Sequence, residues 1–230
     1  MEHSSPANTP GRTGDVVRST LPSRQSELSP VLREFHRAIL GVFLNAGRPP
    51  EQDELRESAA ELGLDPGHAM RELSRADLVH TDASGHITVA YPFSGSDRGI
   101  HVQQADGPGV WAMCAIDALG IPQMAGRDVV ITATDPASRE PVAVESQDGR
   151  LTWQPPGAVV LLATNGRGGI IAECTCPLIT FHTTERHALD HLAAQSGATG
   201  QVLSQAKAHE LAGDAFGSLL NGQSEPTTER

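Results

Sequence analysis

The period of the hydrophobic pattern first changes near residue 78, and that change limits the folds open to this chain. From Pro30 onward, Leu32, Phe35, Ile39, Val42 and Phe43 recur at helical spacing, until Gly47 and the Pro49–Pro50 pair interrupt the run. Leu55, Ala59 and Leu62 then share one face of a second helical stretch, and Asp65 before Pro66 is a helix-opening pair for a third. After Leu78 the pattern turns to short strand-like runs, "LVHT" and "HITVAYPF", joined by the turn "DASG". Three helices followed by a hairpin is the order of a winged helix. The sequence therefore predicts a winged-helix-like helical domain over residues 29–93.

Beyond Pro108 the reading is α+β: a mostly antiparallel sheet with flanking helices over 94–221. "VWAMCAIDALG", Ala-rich and closed by Gly120 and Pro122, reads as a helix. "DVVITATD", "PVAVES", "AVVLLAT" and "IIAECTC" read as strands, the last ended by Pro177. "TERHALDHLAAQS" and "SQAKAHELAGDAFGSLL" read as helices, and "NGRGG" as a tight turn with no Lys-Ser/Thr to make it a phosphate loop. Residues 1–28 and 222–230 are rich in Ser, Pro, Thr and Gly or polar residues without periodicity, and read as loose tails.

Charge argues against nucleic acid as a partner. The formal net charge is −11, and residues 31–92 hold six arginines and no lysine against ten acids, a balance of −4. The third helix, where a recognition helix would lie, offers only Arg71 and Arg75 beside Glu72. No apolar run is long enough to span a membrane and the N-terminal stretch does not resemble a secretion signal, so the expected location is the cytoplasm.

The chain has three cysteines. An odd number in a reducing compartment does not make a disulfide framework, so the thiols are either inert packing or reactive and metal-binding. Cys114 and Asp117, three apart on a helix, share a face, and the positive end of the helix dipole favours a thiolate at Cys114. Cys174 and Cys176, two apart in a strand, point to one side, where two thiolates make a clamp for a soft metal. A buried cysteine beside an exposed aspartate is the plainer alternative for the first pair, and packing for the second. His187 and His191 are spaced to bind zinc from a helix, although an exposed amphipathic helix explains them without a metal. His182 is a further candidate nitrogen ligand or pocket-lining group.

"AYPFSG", "VWAMCAIDALGIPQMAG" and "CPLITFHTT", in that order, resemble the alkylmercury (organomercurial) lyase family over roughly residues 30–220. The resemblance implies a winged-helix-like part before a catalytic α+β core, and carbon–mercury bond cleavage giving a hydrocarbon and Hg(II). It assigns Cys114 and Asp117 as the first cysteine and the proton carrier. It assigns Cys176 as the second cysteine, because Phe181 keeps the expected offset, with Cys174 as the alternative and as a further contact to the product ion. His182 stands where the family has the second phenylalanine of a pair. No organic cofactor is implied; an external thiol, or a mercuric reductase, would receive the Hg(II). The rival reading is a non-enzymatic sensor or carrier using all three cysteines, and Asp117 separates the two, since a carrier needs no carboxylate beside its thiol.

Overall fold

The computed structural model describes residues 24–165 and 171–220. Residues 1–23 of the tail assigned to 1–28, the tail assigned to 222–230, and most of the "NGRGG" turn lie outside the described residues. Residues 24–28, read as part of the first tail, instead include a helical turn over 24–27. It is pinned by Arg24 to Asp77 at 2.6 Å and by the buried Gln25, which bonds His36 and the Leu219 carbonyl.

Three helices follow: α1 (Pro30–Ala46), α2 (Gln52–Glu61) and α3 (Pro66–Arg75). Ser29 caps α1 by accepting from the Leu32 amide, Pro30 fits its first turn, and Gly47 ends it at φ 72°, a left-handed turn that glycine adopts without strain. Asp65 caps α3 through the His68 amide, as the Asp-Pro pair predicts.

The strands form two antiparallel sheets. β1 (Val79–Thr81), β2 (Ile87–Ala90), β3 (Phe93–Ser94), β4 (Ile100–Gln104), β5 (Gly109–Ala112), β6 (Val129–Thr134), β7 (Pro141–Gln147) and β8 (Arg150–Gln154) make an eight-stranded sheet ordered β1-β2-β3-β5-β4-β6-β7-β8. β9 (Val159–Thr164) lies between β10 (Ile179–His182) and β11 (Thr199–Leu203) in a second sheet. The predicted hairpin is present as β1–β2, but it is the edge of the large sheet rather than a free wing.

Four helices complete the fold: α4 (Ala115–Ala125), α5 (Ile171–Cys174), α6 (Glu185–Ala194) and α7 (Gln205–Phe216). α4 is apolar on nearly every side because it is enclosed, with nine of its eleven residues buried. It packs closely along α7, where the Phe216 ring occupies the place a side chain at Gly120 would need. A single cluster of buried apolar side chains runs from Leu32 in α1 through α4 to Leu219 beyond α7.

Two predicted elements take another form. The helix expected over "VWAMCAIDALG" is split: Gly109–Ala112 is strand β5, paired with β3 and β4, and the helix begins at Ala115. Val110 and Trp111 have the branched and aromatic side chains that suit a sheet, and a short apolar run does not carry its own period. The strand expected over "IIAECTC" is instead α5 followed by a 3₁₀ turn at Cys176–Leu178. Pro177 cannot donate to a ladder but fits the first turn of a helix, and Ala172 and Glu173 are good helix formers. Cys174 and Cys176 therefore do not line one side of a strand.

Candidate active site

β5 ends at Ala112, and two residues later Cys114 is the N-cap of α4. Its backbone is extended, at φ −156° and ψ −179°, and its thiol makes no capping bond, which leaves the sulfur free for other partners. Asp117 is the third residue of the helix. Its carboxylate lies close enough to the backbone amides of Cys114 and of its own residue for them to favour its ionised form. Cys176 arrives from the other side of the fold, where the 3₁₀ turn leads into β10.

The three groups meet at one point. Cys176 Sγ lies 3.9 Å from Asp117 Oδ2, and the ligand atoms of Cys114, Asp117 and Cys176 all lie within 4.8 Å of one another. Each residue is only 3% exposed. Among the described residues this is the group of three histidine, cysteine or acidic side chains placed to share a metal ion. A zinc–thiolate bond is about 2.3 Å, and a larger soft ion takes a longer one, so sulfurs this close can grip a single ion.

Burial controls the charge of the site. It pushes the Asp117 carboxyl up to about 7, against the opposing pull of hydrogen bonds from Cys114, its own backbone and Cys176. Burial likewise raises the Cys114 thiol well above its ordinary value, and the contact with Cys176 and the nearby Asp117 charge raise it further. For Cys176 the hydrogen bond from Cys114 favours the thiolate, but burial and Asp117 outweigh it and the net direction is upward. Burial thus opposes the thiolate that the helix dipole was expected to favour at Cys114, and desolvation outweighs what a helix end offers. Two thiols and a carboxyl that titrates near neutrality make a site whose protons can be moved but are not yet released.

The histidine candidates lie elsewhere. His182 is buried, with Nδ1 2.9 Å from Asp135 Oδ1 and Nε2 2.9 Å from Thr180 Oγ1. His187 Nδ1 lies 3.1 Å from Asp135 Oδ2, and the His191 ring leans on His182 with centroids 5.3 Å apart. Asp135 also accepts from the Thr183 hydroxyl and the amides of Thr183 and Ala137, each at 2.8–2.9 Å, and these donors hold its carboxyl below the usual range despite its burial. Asp135 is thus a structural hub joining the β6–β7 turn to the start of α6. Reading the sequence for ligands passed over it, although "TDPAS" signals an aspartate that caps its own turn. The side chain of Cys174 lies outside the described residues. A cleft of about 750 Å³ lined by Pro122, Gln123, Arg127, Asp148 and His209 is at the opposite end of α4 and contains none of the three site groups.

A profile of the family described as alkylmercury lyase (MerB) matches residues 93–217, more than half of the chain. No curated protein matches at a significant level. Among solved structures, this fold is similar to one titled "Crystal structure of the mercury-bound form of MerB2", with a TM-score of 0.72 and 16% sequence identity, over 89% of this chain and 98% of that one.

Proposed function

Because the chain belongs to the alkylmercury lyase family, whose activity is cleavage of carbon–mercury bonds, we propose that Cys114, Cys176 and Asp117 are the groups that perform it here. The observation that carries the assignment is the meeting of two thiols and one carboxyl, from distant parts of the chain, at a single buried point.

The substrate is R–Hg–X, with X an exchangeable thiolate. Asp117, titrating near 7, serves as a base for a thiol that burial keeps protonated. One cysteine thiolate binds mercury, and its proton leaves with X as HX. The second cysteine passes its proton to Asp117 and adds its sulfur to mercury. Two thiolates push electron density onto the carbon, and the Asp117 proton is delivered to it. The carbon–mercury bond breaks, R–H departs, and Hg(II) stays on the two sulfurs with Asp117 ionised again. Two thiol protons are consumed, one in HX and one in R–H, so the balance closes without an organic cofactor. External thiols, or a mercuric reductase, then remove Hg(II); the enclosed position of the sulfurs favours a small acceptor.

Cys176 is assigned as the second thiol in preference to Cys174 because, among the described side chains, it is the cysteine that meets Cys114 and Asp117. The helices α1–α3 with β1–β2 are read as a winged-helix-like cover for the site, not a DNA reader. Their acidic balance and the shared core support that reading. Among the described residues no helix is long and apolar enough to cross a membrane, which fits the cytoplasmic location proposed for the enzyme. Methylmercury incubated with the protein and excess thiol should yield methane, and Cys114→Ser and Cys176→Ser should each lose that yield by orders of magnitude. Turnover near wild type in either variant contradicts the assignment.

A further inference from the structure

Three acids or potential anions meet in this site, and among the described residues none has a buried cation as partner. Arg98 is the cation that acts on Cys176, and it is exposed. Two thiolates on mercury beside a carboxylate therefore need neutral hydrogen-bond donors to offset their charge. One is available. Tyr91 is 1% exposed, and its hydroxyl is buried without a hydrogen-bond partner. A buried hydroxyl left unpaired is costly, so it calls for a use.

Its place in the fold points to the sulfurs. Tyr91 precedes β3, where Phe93 pairs with Ala112 and the Met113 amide donates to the Pro92 carbonyl at 3.1 Å, so its backbone runs alongside the strand that ends in Cys114. Its phenol is close enough to Cys176, Asp77 and Asp117 for their charges to act on it. The Ala172 amide, in the helix before Cys176, approaches it without completing a hydrogen bond. The two nearby carboxylates already have donors of their own. Asp77 is held by Arg24 at 2.6 Å and by His80 at 2.6 Å, and Asp117 by Cys114, Cys176 and backbone amides. His80, fixed by Asp77, sets its ring edge-on against Tyr91 at 6.5 Å between centroids. The ring is thus held against His80 while the hydroxyl has no hydrogen-bond partner.

We propose that Tyr91 is a positioning residue whose hydroxyl donates a hydrogen bond to Cys176 Sγ when the two sulfurs hold mercury. The proposal rests on the assignment of Cys176 as a mercury ligand. A protonated thiol is a poor acceptor, and the buried hydroxyl has no partner in this structure. On mercury the sulfur carries negative charge, and the donor both offsets it and fixes the direction of its lone pairs. Nothing is transferred: the phenol keeps its proton throughout.

The test is Tyr91→Phe in the full chain, alone and combined with Cys176→Ser. A hydrogen bond to a charged group is worth on the order of 10- to 100-fold in an equilibrium. Affinity for Hg(II), measured by competition with a small dithiol, should fall by at least about tenfold in Tyr91→Phe. The ultraviolet sulfur-to-mercury charge-transfer band should shift, and kcat for methylmercury should fall with little change in KM. The melting temperature of the metal-free protein should stay level or rise, since the lost hydroxyl had no partner. In the Cys176→Ser background the same change should cost nothing further. Unchanged Hg(II) affinity in Tyr91→Phe, an equal loss in both backgrounds, or a lowered melting temperature would each overturn the proposal. Full Hg(II) affinity in Cys176→Ser alone would instead show that the ligand assignment is wrong, and the proposal would fall with it.

Discussion

Replacing Asp117 by Asn tests the electrostatics of the site apart from its chemistry. In the unfolded chain the carboxyl titrates at its ordinary 3.8, and in the folded protein burial pushes it up to about 7. Between those values the native state keeps a proton that the unfolded state has released, so stability falls as pH rises through this window and levels off above it. Integrated from pH 5 to pH 8, the loss from this one group is about 3 kcal/mol. Asn keeps the size and hydrogen-bonding oxygen but has no proton to lose. The variant should therefore gain on the wild type by about 3 kcal/mol across that interval. The assay is urea unfolding of both metal-free, reduced proteins at pH 5 and pH 8. Cysteine titration in the unfolded chain is common to both and cancels in the difference. A wild-type-minus-variant difference that is the same at both pH values would refute the claim that a buried, proton-holding carboxyl occupies the site. Methane release should meanwhile drop on the order of 10²- to 10⁴-fold, as for loss of a general acid, while Hg(II) still binds.

Other consequences follow from the same structure. Asp135→Asn should cost about 3 kcal/mol in urea unfolding, because one amide oxygen cannot replace two carboxylate oxygens holding His182, His187, Thr183 and Ala137; an unchanged midpoint would remove its role as a hub. Its carboxyl is held below the ordinary range, so the wild type should lose this stabilisation only as pH falls through the acidic carboxylate range. Gly120→Ala should destabilise by about 1–3 kcal/mol despite alanine's better helix propensity, because the new methyl meets the Phe216 ring; Phe216→Leu in the same chain should restore part of the loss. Titration of labelled duplex DNA at low salt should give no saturable anisotropy change, and tight sequence-specific binding would revive the sensor reading.

The sequence was most informative where pattern and local chemistry agreed. α1, α3, β6, β7 and β9 follow from their periodicity, their caps and the breakers between them, whereas β8 was not anticipated. It was least informative at residues 109–113 and 170–176, where a short apolar run suits helix and strand alike and the neighbouring strands or Pro177 decide. The first segment ends immediately before Cys114, and the second holds Cys174 and Cys176. Cys114 and Asp117 came from local spacing, and they are adjacent in space even though the helix starts later than expected. Cys176 was distinguished from Cys174 only through the family resemblance, since no local rule states which thiol will reach a helix cap on another part of the chain. The raised carboxyl of Asp117 was not legible either: desolvation depends on how completely α7, β5 and β10 enclose α4. Asp135 and Tyr91 escaped notice for the same reason, because their roles depend on partners brought together only by the fold.

The central claim, that two thiols and one carboxyl cleave the carbon–mercury bond, is tested most directly by a single turnover without external thiol. Reduced protein, freed of reductant, is mixed with less than one equivalent of methylmercury. Headspace methane, protein-bound mercury after desalting and remaining titratable thiols are then measured on the same sample. The expected result is one methane and one retained Hg(II) per methylmercury added, with two of the chain's three cysteines lost to titration for each. Retention of intact methylmercury with one thiol lost and no methane would contradict it, and would make the protein a carrier.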